Sequence, residues 1–93
     1  MSPERRRVRY LGRVQGVGFR FTAARLAPVF GVSGFVRNVP DGSVELEAQG
    51  DSAKIGAFLV AIRSELGSKV HQADESTIPS KLDETPGQFL IRY

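Results

Sequence analysis

The chain has no cysteine and no tryptophan, and only one histidine and one methionine. Without thiols, disulfides, thiolate nucleophiles and Cys-containing zinc sites are excluded. With His71 the sole imidazole, a metal site would have to be built almost wholly from carboxylates and amides. No apolar run approaches the roughly 18 residues a membrane span needs. The charged start, Met1 to Arg9, leads into no apolar segment of the kind a cleaved signal peptide carries. The expectation is a cytoplasmic protein with no membrane partner.

What is present fits one globular domain. The chain has 93 residues, 41% of them hydrophobic and 25% charged. Its formal net charge of +3 comes with ten arginines against three lysines. Such a balance suits phosphate or nucleic-acid partners, and it also serves plain solubility. The densest cluster, Arg5-Arg6-Arg7, reads as a solvated chain end. Residues 1–6 are therefore expected to form a flexible extension of a single domain spanning 1–93.

Residues 7–13 alternate as a first strand. A helix is expected from near Thr22 to Phe30, with Ala23, Leu26, Ala27 and Phe30 as its apolar stripe and Gly31 as its C-cap. Pro28 inside it calls for a kink or a loosened last turn, since an interior proline costs about 3 kcal/mol. A second strand follows over Ser33–Val39, then the turn Pro40-Asp41-Gly42-Ser43, then a third strand over Val44–Gln49. In the third strand Val44, Leu46 and Ala48 face one way, and Glu45, Glu47 and Gln49 occupy what reads as a wetter face. Asp51 or Ser52 caps a second helix whose stripe is Ile55, Phe58, Leu59, Ile62 and Leu66, ending at Gly67. Lys69–Asp74 is weak as a strand, Thr77–Asp83 reads as loop, and Phe89–Tyr93 is a clear terminal strand. Two singly striped helices on one side of an antiparallel-rich sheet give an α+β, split βαβ, ferredoxin-like sandwich.

The run Val14-Gln15-Gly16-Val17-Gly18-Phe19-Arg20 holds two glycines two apart, followed by an arginine where the first helix begins. A tight turn there can aim several backbone N–H groups at one point, and a helix N-terminus favours an anion. Arginine at a helix start is disfavoured by the helix dipole unless an anion is shared between them. The plainer alternative is that the glycines only permit a sharp turn and Arg20 is an ordinary exposed residue. Asn38, at the end of the second strand, converges on this loop if strands one and two run parallel. Its amide both donates and accepts, which suits holding a water, and equally suits satisfying nearby backbone.

No Lys-Ser/Thr follows the glycines, so the run is not a Walker loop. His71 reads as structural or solvated. Asp41, Asp51, Asp74, Glu75, Asp83 and Glu84 fall in turns or flanks, and no pair among them carries an acid–base or magnesium signature. One cation, a nest of amides and a water-holding amide can hydrolyse a substrate that is already activated. A mixed carboxylic–phosphoric anhydride qualifies, whereas a phosphate monoester is far harder to cleave.

At these residues the sequence resembles the acylphosphatase family. The resemblance rests on Gly12-Arg13-Val14-Gln15-Gly16-Val17-Gly18-Phe19-Arg20, on Gly34-Phe35-Val36-Arg37-Asn38, on the Asp41-Gly42 turn and on the closing Phe89-Leu90-Ile91-Arg92-Tyr93. It implies a five-stranded ferredoxin-like sandwich and hydrolysis of acyl phosphates to a carboxylate and inorganic phosphate. It also implies that Arg20 binds the phosphate and that Asn38 orients the attacking water. The backbone amides of Gln15, Gly16, Val17, Gly18, Phe19 and Arg20 would line the cradle, with no metal and no cofactor. The bound phosphate itself would take the proton from water. Pro28, the short Gly67-Ser68-Lys69-Val70 connection and an abbreviated Val70–Ile78 segment depart from the family's usual pattern, leaving strand 4 and its register open.

A nucleic-acid alternative exists because the RNA-recognition fold shares the element order, and Gly34-Phe35-Val36 echoes part of its signature. That signature belongs on strand 3, however, where Glu45, Glu47 and Gln49 would repel a phosphate backbone and stack no bases. A regulatory or interaction domain of the same fold would need neither Arg20 nor Asn38. The expected partners are a small acyl phosphate and inorganic phosphate, with no nucleic acid, and the chain is expected to be a monomer.

Overall fold

The third strand decides the architecture, because its alternation gives the sheet an apolar and a polar side. In the computed structural model, which describes residues 3–93, Val44, Leu46 and Ala48 are fully buried beneath two helices. The elements run β1 (Glu4–Gly12), α1 (Phe19–Phe30), β2 (Ser33–Asn38), β3 (Val44–Gly50), α2 (Ser52–Leu66), a 3₁₀ turn (Gly67–Lys69), β4 (Val70–Ile78) and β5 (Phe89–Arg92). They form one five-stranded sheet in the order β4-β1-β3-β2-β5. All neighbours are antiparallel except β2 and β5. This is the ferredoxin-like α+β sandwich that the periodicity implies.

Ala23, Leu26 and Ala27 of α1 and Ile55, Phe58 and Ile62 of α2 pack on Val8, Tyr10, Val36, Val44, Leu46 and Ala48 of the sheet. Phe58 sits at the centre, its ring 6.3 Å from Phe30 and 5.6 Å from Phe89. Pro28 does not break α1. It lies exposed in the last turn, and Gly31 closes the helix in the left-handed conformation at φ 67°. There the N–H groups of Gly31 and Val32 donate to the carbonyls of Pro28 and Ala27, both at 3.2 Å.

Several boundaries differ from the sequence expectation. The first strand begins at Glu4 rather than residue 7, so residues 4–6 belong to the sheet; Met1 and Ser2, the rest of the expected extension, lie outside the described residues. Arg5 is completely buried and held by Glu47 and Glu84, not solvated at a frayed end. Helix α1 starts at Phe19, three residues before the expected Thr22. Asp51 is the N-cap residue of α2 but makes no side-chain capping bond. Strand β4 is a full nine residues and pairs with β1 from Arg5↔Ile78 to Gly12↔Val70, so Thr77 and Ile78 are strand rather than loop. The last strand ends at Arg92.

The presumed wetter face of β3 is the largest correction. Glu47 and Gln49 are buried, at 5% and 6% exposure, because Arg5 and Arg7 close over Glu47 and the β4–β5 connection folds over Gln49. Gln49 accepts the Lys81 N–H at 2.7 Å and donates to the Lys81 carbonyl at 2.8 Å. Glu84 accepts from Arg5 at 2.8 Å and from the Ser33 hydroxyl at 2.7 Å, so it is not a solvated flank carboxylate.

Candidate active site

The topology brings the end of β1 and the end of β2 to the same side of the sheet. Both strands are antiparallel to β3, and Tyr10 and Asn38 flank its Val44 from opposite sides. The loop that follows β1 therefore lies beside Asn38, as a parallel pair requires.

Two buried side chains pin that loop. Val14 enters the core at its start, and Phe19 enters at its end with its ring 4.7 Å from that of Tyr10. Between them Gly16 and Gly18 sit in the left-handed region at φ 74° and 80°. A Cβ at either would meet open space, so the backbone angle, not crowding, is what favours glycine there. Gln15 ties the loop to the next one. Its Nε2 donates to the Val39 carbonyl at 2.7 Å and to the Ser43 carbonyl at 2.8 Å.

That second loop is itself rigidly closed. The Val39 N–H donates to the Ser43 carbonyl at 2.9 Å. The Asp41 carboxylate accepts the Ser43 N–H at 3.0 Å and the Ser43 hydroxyl at 2.6 Å, and it also receives Arg9. These Ser43 hydrogen bonds, with help from Arg9, hold the Asp41 carboxyl below its ordinary range.

Gly18 is the N-cap of α1, which begins with the Thr22 N–H donating to the Gly18 carbonyl at 2.9 Å. No side chain caps this end, and no acidic residue occupies the first turn. The leading N–H groups of a helix have no intrahelical partner, so this end is polar, positive and receptive to an anion. Arg20 stands in that first turn. Its guanidinium lies 4.8 Å from the Tyr93 ring centroid, and its Nη1 approaches the Arg92 carbonyl at 3.5 Å. Among the described residues no carboxylate forms an ion pair with it.

A depression of about 250 Å³ opens at this point, lined by Val14, Gly16, Gly18, Phe19, Arg20, Phe21 and Asn38. Of the residues singled out in the sequence, Gly16, Gly18, Phe19, Arg20 and Asn38 line it together. Gln15 and Val17 do not. Gln15 turns its side chain to the β2–β3 turn, and Val17 packs against the core. Arg37, adjacent to Asn38, points to the other face, where its Nε donates to Glu45 at 3.0 Å. Phe21 is 70% exposed although aromatic; the sequence pattern gives it no site role, and it gives Tyr93 only a place in the closing strand. The signal available for Phe21 was its apolar character off the helix stripe. His71 is exposed, and among the described residues no three His, Cys, Asp or Glu side chains cluster to hold a metal.

Fold and site together define a class: a small split βαβ sandwich whose first helix opens on a glycine-rich, anion-receptive loop beside an amide side chain. The pattern of the acylphosphatase family matches residues 6–91. An acylphosphatase of Ligilactobacillus salivarius is 42% identical over 84 residues, 88% of this chain and 90% of that protein. One from Methylococcus capsulatus is 54% identical over a shorter stretch of 52 residues, 56% of each chain. The crystal structure of acylphosphatase from Bacillus subtilis superposes with a TM-score of 0.86 at 32% identity, covering 97% of this chain and 99% of that one. The chain belongs to the acylphosphatase family.

Proposed function

We propose that this protein hydrolyses acyl phosphates to a carboxylate and inorganic phosphate, without a metal ion or cofactor. The phosphoryl oxygens accept hydrogen bonds from Arg20 and from backbone N–H groups of the loop from Gln15 to Phe19 and the start of α1. The Asn38 amide holds a water in line with the bond to be broken. The water oxygen attacks phosphorus, the bond to the acyl oxygen breaks, and its electron pair leaves on the carboxylate. The water's proton passes to a phosphoryl oxygen. A carboxylate whose conjugate acid has a pKa near about 4 needs no general acid to depart, which fits a depression lined by no titratable acid or base other than Arg20.

The observation that carries this reading is the meeting of three groups at one depression: Arg20, with no carboxylate partner among the described residues, the start of α1, and Asn38. Each supplies what an activated phosphoanhydride requires: charge stabilisation, fixed dipoles and a positioned nucleophile. A monomeric cytoplasmic protein acting on a dissolved small molecule completes the proposal.

The test is a benzoyl phosphate assay in the presence of a chelator. Wild type is expected to be active, and Arg20→Ala and Asn38→Ala to lose about a hundred- to a thousandfold in kcat/KM, the scale set by removing one transition-state donor. Inorganic phosphate should inhibit competitively, with weakened binding in Arg20→Ala. Full activity in both variants would sink the assignment, and abolition of wild-type activity by the chelator would sink metal independence.

A further inference from the structure

Two exposed aromatic rings flank Arg20, and the chemistry at phosphorus uses neither of them. Phe21 follows it in the first turn of α1 and lines the depression while remaining 70% exposed. Tyr93 lies across its guanidinium at 4.8 Å and is 94% exposed. A single exposed apolar side chain is ordinary on a protein surface, but two rings beside the one cation that lines a depression combine apolar and polar surface as a ligand site does. The core offers a contrast: Phe19, Phe35 and Phe58 are each at most 5% exposed.

Geometry limits what the rings can touch. The phosphoryl end is satisfied by N–H groups and a guanidinium, and an aromatic ring adds nothing to an anionic oxygen. The acyl group, by contrast, has to extend away from the groups that hold the phosphoryl oxygens, and beside them stand Phe21, which lines the depression, and Tyr93, which lies against the Arg20 guanidinium. Tyr93 reaches this place because β5 runs parallel to β2 and ends beside it, with Arg92 opposite Arg37. Its preceding carbonyl also approaches Arg20 Nη1, at 3.5 Å. The ring therefore has two faces to offer, one taken by the guanidinium and one open to a substrate.

Resting on the site reading above, we propose that Phe21 and Tyr93 form an aromatic rim that receives the acyl group and selects for acyl phosphates with aromatic or bulky apolar tails over those with a methyl or amino group. Apolar area removed from water and ring-on-ring contact both grow with the tail and vanish for the smallest ones. Inorganic phosphate has no tail and gains nothing from the rim.

The experiment compares kcat/KM for benzoyl phosphate and acetyl phosphate in wild type, Phe21→Ala, Tyr93→Ala and Tyr93→Phe. Phe21→Ala is expected to lower the benzoyl-to-acetyl ratio about fivefold, with a much smaller change in the inhibition constant for inorganic phosphate. Tyr93→Ala lowers the ratio similarly and also weakens phosphate inhibition, because it frees Arg20. Tyr93→Phe keeps both. A ratio unmoved in Phe21→Ala and Tyr93→Ala while Arg20→Ala is inactive overturns the rim and leaves the phosphate site standing. Full activity in Arg20→Ala overturns the site and the rim with it. Both rings are exposed, so the folded state should persist, which near-ultraviolet and far-ultraviolet circular dichroism will verify.

Discussion

Arg5 Nε donates to Glu47 Oε1 at 2.8 Å across the face of the sheet turned away from the helices, and the arginine is wholly buried. The same guanidinium reaches Gln49 at 3.1 Å and Glu84 at 2.8 Å, tying β1, β3 and the β4–β5 connection together. Removing one member of a buried ion pair costs about 3–5 kcal/mol, and although Arg7 still reaches Glu47 at 3.2 Å, Glu84 and Gln49 would lose their buried donor. Arg5→Leu is therefore expected to lower unfolding free energy by that amount in urea titrations. Arg5→Lys should recover little of it, because an ammonium cannot span three acceptors as a planar fork does. A cost below about 1 kcal/mol for Arg5→Leu would mean that the network is incidental.

The same network sets a pH dependence. Burial pushes the Glu47 carboxyl up, but hydrogen bonds and charge from Arg5, joined by Arg7, outweigh it and leave its pKa below the ordinary 4.5. A carboxyl with a lower pKa in the folded state stabilises the fold above its unfolded pKa, and that contribution is lost as pH falls through the folded pKa. Stability should hold above about pH 5 and decline below about pH 4. Glu47→Gln should flatten the decline, as read from urea midpoints across that range. An acid slope unchanged in Glu47→Gln would assign it to other groups, such as Asp41 and Glu4, whose pKa values Ser43 and Arg6 respectively depress through hydrogen bonds.

Two glycines should respond to alanine with opposite sign. A Cβ on Gly34, at φ 138°, would lie 1.9 Å from the Glu47 carbonyl oxygen, so the β2–β3 ladder would have to part. Gly34→Ala is expected to cost at least about 3 kcal/mol or to prevent folding. Gly56 lies inside α2 with nothing within 4 Å of a Cβ. There Gly56→Ala should stabilise by roughly 0.5–1 kcal/mol, the usual helix-interior difference. Thermal unfolding of the two variants measures both effects.

The sandwich was legible because β3 and both helices carry clean periods. Val44, Leu46 and Ala48 alternate, and the stripes of α1 and α2 recur at helical spacing. Strand β4 was not, because it is an edge strand with exposed residues such as Gln72, Asp74, Glu75 and Ser76, and its pairing with β1, not an apolar pattern, makes it a strand. Arg5 was misread for a related reason. Its burial depends on Glu47 and Glu84, residues 42 and 79 positions away, a coincidence no local pattern signals. That Gly16, Gly18, Arg20 and Asn38 share one depression was legible because a loop motif and a strand end name them directly. The place of Phe21 and Tyr93 depends on where β5 ends, which only the sheet order reveals.

Gln15 carries a prediction that separates its side chain from its backbone. Had it served only through its N–H, Gln15→Ala would be silent, because the backbone would remain. Its amide instead donates twice, to the Val39 and Ser43 carbonyls, and holds the glycine-rich loop against the turn that follows Asn38. Two hydrogen bonds at about 0.5–1.5 kcal/mol each fix the distance between the glycine-rich loop and Asn38. Small errors in that distance slow a reaction that depends on alignment. Gln15→Ala is thus expected to lower kcat/KM for benzoyl phosphate about tenfold and to raise the inhibition constant for inorganic phosphate. Gln15→Glu should do at least as much harm, since a carboxylate cannot donate to the two carbonyls. Wild-type kinetics in Gln15→Ala would show that Val14 and Phe19, buried at the two ends of the loop, suffice to hold it.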